Sequence, residues 1–332
     1  MKLAINGFGR IGRNSFKVAL EREGVEIVAI NDLSDIENLA YLLKYDTAYG
    51  TYSKDVEVKD GKLVIDGKEI LVFSEPEPKN LPWGDLDIDV VLECTGFFTD
   101  REKASGHTEA GAKEVVISAP AKDDSIKTIV MGVNESEVTA DDHIISNASC
   151  TTNCLAPIMK VLDDAFGVEK SLMSTIHSYT STQALIDGIS KKDPRRGRAA
   201  AQNIIPASTG AAVATTKTIP HLEGNFDGMA FRVPIMVGSV SDVTIVLKKD
   251  VTVEDVNGVL ESAAAGDLKG IIKTTDEPLV SHDILGDPNS CIVQTDLTKV
   301  VGGNLIKVVG WYDNEWGYSE RLVEMAQFVA SK

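Results

Sequence analysis

The sequence predicts a two-domain α/β protein, with a mostly parallel sheet and helical crossovers in its N-terminal part and a substantial second sheet after residue 150. Three observations lead there. The chain has 332 residues, about twice a typical domain and enough for two hydrophobic cores. Its first thirty positions read as strand, glycine-rich turn, helix and strand. At Cys150 a polar knot, Ser149-Cys150-Thr151-Thr152-Asn153-Cys154, interrupts this alternation and opens a helix.

Composition narrows the functional classes. With 43% hydrophobic and 25% charged residues, the chain has the make-up of an ordinary globular protein, and no stretch approaches the ~20 apolar residues that span a bilayer. Too few apolar positions stand at the N-terminus for a secretory signal, so the expected location is the cytoplasm, with no membrane partner. Four cysteines, two of them four residues apart, fit neither a disulfide framework nor a metal-site spacing; they read as reduced thiols, and no metal is expected. A net charge of −17 repels a nucleic-acid backbone, so nucleic acid is not an expected partner. An anionic ligand must find local positive charge.

The first segment offers one place for an anion. Lys2-Leu3-Ala4-Ile5 reads as a buried strand that runs into Gly7-Phe8-Gly9-Arg10-Ile11-Gly12. Ile11, Ser15, Val18, Ala19 and Arg22 then recur at helical spacing, Gly24 ends the pattern, and Val25 to Ile30 reads as a second strand. Alone, Gly-x-Gly-x-x-Gly says little. Between a strand and a helix, with Asp32 following Gly12 by 20 residues at the end of the second strand, it has the arrangement that dinucleotide binding requires. Its glycines allow a tight turn and close backbone approach to a pyrophosphate. Asp32 can accept from a ribose 2′-hydroxyl and would repel a 2′-phosphate, so NAD is preferred over NADP.

Short β-branched runs follow at 63–65, 70–73, 90–92, 115–117 and 129–131, suited to strands of a mostly parallel sheet, with a helical crossover from about Arg101 to Ala112. Ser74 to Trp83 reads as a surface loop. Thr95 to Thr99 and Ser118 to Ala121 stand at carboxyl ends of strands, where open α/β sheets bind ligands.

Beyond Cys150, a helix to about Asp164, with Pro157 inside it, leads to the strand-like Leu172 to His177. A cysteine taken alone is commonly a small buried hydrophobe. At the first turn of a helix, however, unpaired N–H groups and the positive end of the dipole favour thiolate, which makes Cys150 the candidate nucleophile and sets the expectation of a lowered thiol pKa. Of the five histidines, only His177 joins an apolar run to a hydroxyl-rich loop, where an imidazole can stabilise a thiolate and serve in acid–base steps. Further on, Arg195-Arg196-Gly197-Arg198 and Pro206 to Ala212 suit phosphate, and Arg232, set in an apolar strand pattern, calls for an anionic partner. Val243 to Leu247 and Ile306 to Gly310 read as strands of the second sheet, Glu254 to Ala264 and Ser319 to Ala330 as amphipathic helices.

Three motifs, Asn6 to Arg13, Ser146 to Pro157 and Trp311 to Tyr318, together resemble the phosphorylating glyceraldehyde-3-phosphate dehydrogenase family, and the similarity runs from end to end. The resemblance implies a Rossmann NAD-binding domain from residues 1–149 and 314–332, and an α+β catalytic domain with a large mixed sheet from 150–313. It implies a homotetramer that takes glyceraldehyde 3-phosphate and inorganic phosphate. By motif match, Cys150 attacks the aldehyde, while His177 stabilises the thiolate, shuttles protons and polarises the bound oxygen. Arg10, Ile11, Asp32, Ser118 and Asn314 fall on cofactor positions, with Asn314 toward the nicotinamide amide. Thr180, Thr182 and Arg232 fall on the substrate-phosphate site. Ser149, Thr209 and Gly210 fall on the inorganic-phosphate site, Thr151 flanks the nucleophile, and Arg196 matches a phosphate ligand in a loop of different length. Departures from the family pattern stand at Pro76, where many members have an arginine near the adenine, at Val213, and at Ile235 to Ser239 in a region near subunit contacts. Erythrose-4-phosphate dehydrogenase shares the nucleophile motif, and non-phosphorylating oxidation would use the same thioester. A non-enzymatic NAD-binding interaction protein would need neither Cys150 nor the anion clusters.

Overall fold

A computed structural model describes residues 1–191 and 193–332. Two compact units divide the chain: Met1–Ile129, Glu135–Ala148 and Ser319–Lys332 form one, and Val130–Asn134 with Ser149–Tyr318 the other. The division between Ala148 and Ser149 falls one residue before Cys150.

The first unit begins with strand β1 (Lys2–Asn6), helix α1 (Arg10–Leu20) and strand β2 (Glu26–Asn31). Helix α2 (Ile36–Lys44) follows, then a small hairpin of β3 (Tyr45–Asp46) and β4 (Gly50–Thr51). Next come β5 (Val56–Lys59), β6 (Lys62–Ile65), β7 (Lys68–Phe73), β8 (Val90–Glu93), helix α3 (Arg101–Glu109), β9 (Glu114–Ile117), β10 (Lys127–Thr128) and β11 (Ile144–Ser146). These strands make a nine-stranded sheet in the order β10-β11-β9-β8-β1-β2-β7-β6-β5. It is parallel from β10 to β7, with β6 and β5 added antiparallel at one edge. Parallel pairing requires crossovers, and α1 and α3 provide them. Leu3, Ile5, Val90, Val91 and Leu92 have no exposure at all, as continuous apolar strands covered on both faces should.

Two sequence expectations are corrected here. The run 129–131 is not a strand: pairing reaches only as far as Ile129 N–H donating to Ser146 O, 2.8 Å. The next N–H, of Val130, donates to Asn134 Oδ1 at 2.9 Å, closing a turn in which Gly132 takes φ +78°. The loop from Ser74 is anchored rather than wholly on the surface, because Leu81 and Trp83 are buried against Ala4, Val91 and Ala112. His107 on α3 is fully buried.

The second unit opens with helix α4 (Cys150–Phe166), which contains Pro157 without ending there. Burial of Leu155, Ala156, Ile158 and Met159 on either side of the proline holds the turns together despite the missing N–H. Strand β12 (Val168–Ser178), β13 (Ile205–Ser208), helix α5 (Ala211–Thr218), β14 (Phe226–Val233), β15 (Ser239–Leu247), helix α6 (Val253–Ala265), β16 (Ile272–Thr275), β17 (Cys291–Gln294), β18 (Lys299–Val301) and β19 (Leu305–Tyr312) follow. Helix α7 (Trp316–Val329) follows, and from Ser319 onward it belongs to the first unit. The eight-stranded sheet has the order β13-β14-β12-β15-β19-β17-β16, with β18 paired to β19. It is mixed: β12 with β14 and β16 with β17 are parallel, the remaining pairs antiparallel. Strand β15 alternates buried and half-buried positions throughout, so one sheet face packs on α4, α5 and α6 while the other is open.

Candidate active site

Within the first unit, a cavity of about 710 Å³ lies at the carboxyl ends of the strands, lined among others by Asn6, Gly7, Gly9, Asn31, Asp32, Glu75, Pro76, Thr95 and Phe97. The three glycines of the motif have three different physical reasons. Gly7 has φ +90°, and a Cβ there would meet Thr95 N at 2.8 Å. A Cβ on Gly12 would run into the Gly7 carbonyl, so glycine is what lets α1 pack on the turn. A Cβ on Gly9 would meet no protein atom within 4 Å. That space, at the N-cap of α1, where no side chain caps the helix, is a cradle for an anion. Asp32 Oδ2 accepts from Phe8 N at 2.7 Å and Oδ1 from Ser34 N at 2.9 Å, which fixes the carboxylate at the cavity wall.

These residues fit a dinucleotide. Arg10 turns its guanidinium to Asp46, 2.5 Å, so its backbone, with that of Ile11, stands at the helix start. Ser118 directly follows β9, and its N–H donates to Glu93 O at 2.9 Å, next to Cys94, which lines the cavity. The sequence had singled out Thr95 to Thr99 as a strand end; Asn6, Asn31 and Glu75 lacked a local signal.

The nucleophile site belongs to the second unit. Ser149 has extended backbone and accepts from Thr152 N at 3.1 Å, capping α4. Cys150 is therefore the first helical residue, half-buried, with Sγ 3.5 Å from His177 Nε2. Alternation along β12 puts Thr175 and His177 on one face. Tyr312 of β19 ties that face to α4, its hydroxyl 2.7 Å from Thr175 Oγ1 and 2.9 Å from Thr151 Oγ1. Thr151 thus supports the wall beside the nucleophile.

Parallel pairing of β12 with β14 sets His177 opposite Arg232. Arg232 Nη1 donates to Ser178 O at 2.9 Å and lies 2.8 Å from His177 Nδ1. Ser178 O is also 2.8 Å from Nδ1. Ser178 O can only accept and Arg232 Nη1 can only donate, so Nδ1 meets one partner of each kind, while Nε2 faces Cys150 Sγ. Burial first, and Arg232 second, push His177 down to about 3. Burial pushes the Cys150 thiol up to about 11, against the Arg232 charge and hydrogen bonds from Thr151. This departs from the lowered thiol expected of a helix start, because enclosure of the sulfur outweighs the favourable charges. Arg232 Nε is buried with no hydrogen-bond partner, and no carboxylate pairs with Arg232 among the described residues. A donor held in that state fits an anionic ligand.

The other anion-binding candidates divide in two. Thr180 Oγ1 and Thr182 Oγ1 are 2.9 Å apart, and Arg196 donates to Thr182 Oγ1 at 3.2 Å and to Ser208 O at 3.3 Å. Arg196 thereby bridges the Thr180–Thr182 loop to the segment holding Thr209 and Gly210. Gly210 is the N-cap of α5 without a side-chain cap, and Thr209 Oγ1 accepts from Ala211 N at 3.2 Å. Asn314 Oδ1 accepts from Ser178 Oγ, Gly238 N and Ser239 Oγ at 3.1, 3.1 and 3.0 Å. Three donors on one oxygen fix the amide and leave Nδ2 as the group to meet a ligand.

Comparison with known proteins places this geometry. The NAD binding domain of glyceraldehyde 3-phosphate dehydrogenase matches residues 1–101, and the C-terminal domain of the same enzyme matches residues 149–314. The glyceraldehyde-3-phosphate dehydrogenase of Priestia megaterium is 54% identical over 333 residues, covering 100% of this chain and 99% of the relative. That of Geobacillus stearothermophilus is 52% identical over 333 residues with the same coverage, and glyceraldehyde-3-phosphate dehydrogenase 1 of Bacillus subtilis is 51% identical over 333 residues, again with 100% and 99% covered. With both ends of the chain matched and half its residues shared with these relatives, the chain belongs to the glyceraldehyde 3-phosphate dehydrogenase family.

Proposed function

We propose that this chain is a glycolytic oxidoreductase that converts D-glyceraldehyde 3-phosphate, inorganic phosphate and NAD⁺ to 1,3-bisphosphoglycerate and NADH. One observation carries the reading: Cys150 at the start of α4 faces Nε2 of a neutral His177 that Arg232 holds from behind. An aldehyde has no hydroxyl-bearing carbon from which hydride can leave to give a carboxyl-level product. Cys150 makes one: its thiol proton passes to His177 Nε2, the thiolate adds to the aldehyde carbon, and Nε2–H returns the proton to the oxygen as the thiohemiacetal forms. NAD⁺, when bound, supplies the hydride acceptor. Loss of hydride from the carbon, with the hydroxyl proton passing to His177 Nε2 and from there to sulfur when the thiol is released, leaves a thioester on Cys150. Phosphate attacks its carbonyl, the C–S bond breaks, and the acyl phosphate leaves with the thiol regenerated.

The remaining residues take roles that suit this sequence. Gly7, Gly9, Arg10, Ile11, Gly12, Asp32 and Ser118 would hold the dinucleotide, and Asn314 Nδ2 its carboxamide. Thr180, Thr182 and Arg232 would take the substrate phosphate, and Ser149, Thr209 and Gly210 the attacking phosphate, with Arg196 bridging the two groups and Thr151 bracing the nucleophile. Residues 1–149 with 314–332 would form the NAD-binding domain and 150–313 the catalytic domain.

We assign the enzyme to the cytoplasm as a homotetramer. No helix among the described residues is long and apolar enough to cross a membrane. Support for assembly comes from Leu185, Ile186 and Ile189, exposed by 83%, 77% and 101%, an apolar stretch that water alone would cover at a cost. The test is NADH production by the size-fractionated protein. Turnover is expected in the fraction of four chains, with NAD⁺ over NADP⁺ and glyceraldehyde 3-phosphate over erythrose 4-phosphate. Preference for the four-carbon substrate, or full activity in a single chain, would contradict the corresponding part.

A further inference from the structure

Below the cavity of the first unit lies a buried polar chain that the reaction does not use. Glu93, at the end of β8, has no exposure, and neither has His107 on α3. Glu93 Oε2 accepts from Asn6 Nδ2 at 2.6 Å and from His107 Nε2 at 3.1 Å. Its Oε1 accepts from Thr95 N at 2.8 Å and from the Thr95 hydroxyl. Trp83 Nε1, which can only donate, reaches His107 Nδ1 at 3.1 Å, so the imidazole is the uncharged Nε2–H tautomer. Glu93 is therefore a buried carboxylate held by four neutral donors, with no cation among the described residues paired to it.

From Asn6 the chain continues outward. Asn6 Oδ1 accepts from Asn31 Nδ2 at 2.7 Å; the same Nδ2 donates to Glu75 O at 2.9 Å, and Asn31 Oδ1 accepts from Glu75 N at 2.9 Å. Asn6, Asn31, Glu75 and Thr95 all line the cavity, whereas Glu93 and His107 do not. The chain thus fastens together the ends of β1, β2 and β8 and the segment after β7, which are the pieces that form the cavity floor and rim. A buried carboxylate without a cation is a poor way to stabilise a core, since apolar side chains of equal volume commonly do as well or better. What four fixed donors on one carboxylate do provide is orientation.

We propose that Glu93 and His107 are positioning residues of the dinucleotide site, setting Asn6, Thr95 and, through Asn6, the Asn31–Glu75 edge for adenosine-side contacts. This rests on the cavity being the NAD site. Glu93→Gln replaces one of two acceptor oxygens by a donor, and His107→Phe removes both the donor to Glu93 and the acceptor for Trp83.

Titration calorimetry of NAD⁺ into the full chain tests it, with the alkylation rate of Cys150 in NAD⁺-free protein as the control on the second unit. Each variant is expected to bind NAD⁺ about tenfold more weakly, with Cys150 alkylation within about twofold of the parent. A folded variant that loses thermal stability but keeps its NAD⁺ affinity within about twofold makes the network core packing only and overturns the proposal. Should neither variant fold, amide exchange on the unaltered protein decides: NAD⁺ slows exchange along α3 around His107 if the network carries binding to it, and an unchanged α3 overturns it. If the unaltered protein binds no NAD⁺, the cavity assignment falls as well, an outcome distinct from normal binding by all three proteins.

Discussion

Arg232 holds two residues at once. Its charge lies behind His177 and within reach of Cys150, and it lowers the pKa of both. The signs give a prediction. Removing the charge in Arg232→Leu raises the thiol pKa further above its resting value near 11 and lets His177 climb from about 3 toward its ordinary range. Alkylation of Cys150 by a neutral reagent across pH is therefore expected to shift to higher pH in the variant, on top of any loss of substrate binding. A profile that stays in place, or moves to lower pH, contradicts the arrangement. In the unaltered protein His177 remains neutral down to acid pH, so the profile should show no step near the ~6.5 of an ordinary imidazole. Both site members were legible in the sequence, Cys150 from its helix start and His177 from its strand end. Their relation to Arg232 was not, because it arises from the register of β12 with β14 across some fifty residues of chain. Nor could local pattern show how far enclosure of the sulfur would oppose the helix dipole.

Helix starts recur where anions are expected. Helix α1 begins at Gly9, α4 at Ser149 and α5 at Gly210 as N-caps. Only the Ser149 cap is closed by its own side chain, through Thr152 N. At α1 the open cap is the proposed pyrophosphate seat, and it can be filled without strain: Gly9 has φ −72°, and a Cβ there meets no protein atom. Gly9→Ala is thus expected to leave thermal stability unchanged or slightly raised, while NAD⁺ binding weakens by about tenfold or more as the methyl occupies the cradle. A variant that binds NAD⁺ normally would remove Gly9 from the site. Gly12→Ala is no such probe, since its methyl would collide with the Gly7 carbonyl. At this scale the sequence was most informative. Strands with an apolar core and helices with a clear helical spacing of apolar residues, such as α1 and α6, were predicted within a few residues. The run 129–131 failed because Asn134 offers its side chain to the Val130 amide, a local competition that hydrophobicity does not register. The enclosure of His107 was not legible, because charges on its own helix say nothing of the Trp83 and Glu93 that surround it.

For the whole molecule, the two units bring different halves of the proposed chemistry: a largely parallel sheet whose strand ends line the cavity proposed for the dinucleotide, and a mixed sheet that carries a thiol, an imidazole and the two groups of residues proposed to hold phosphate. A net charge of −17 makes the placement of Arg196 and Arg232 decisive for anionic substrates, because the surroundings otherwise repel them. The division of labour was legible from the glycine motif upstream and the change of pattern at Cys150. Which strands pair in the second sheet was not, since antiparallel and parallel neighbours there come from distant parts of the chain.

The central claim is that oxidation passes through a thioester on Cys150 that inorganic phosphate releases. Rapid mixing of the enzyme with glyceraldehyde 3-phosphate and saturating NAD⁺, first without phosphate and then with it, tests this directly. The account predicts a burst of about one NADH per Cys150 followed by near-arrest, with steady turnover restored by phosphate and no burst in Cys150→Ser. Steady NADH production at the same rate without phosphate, or a burst that survives Cys150→Ser, would contradict it.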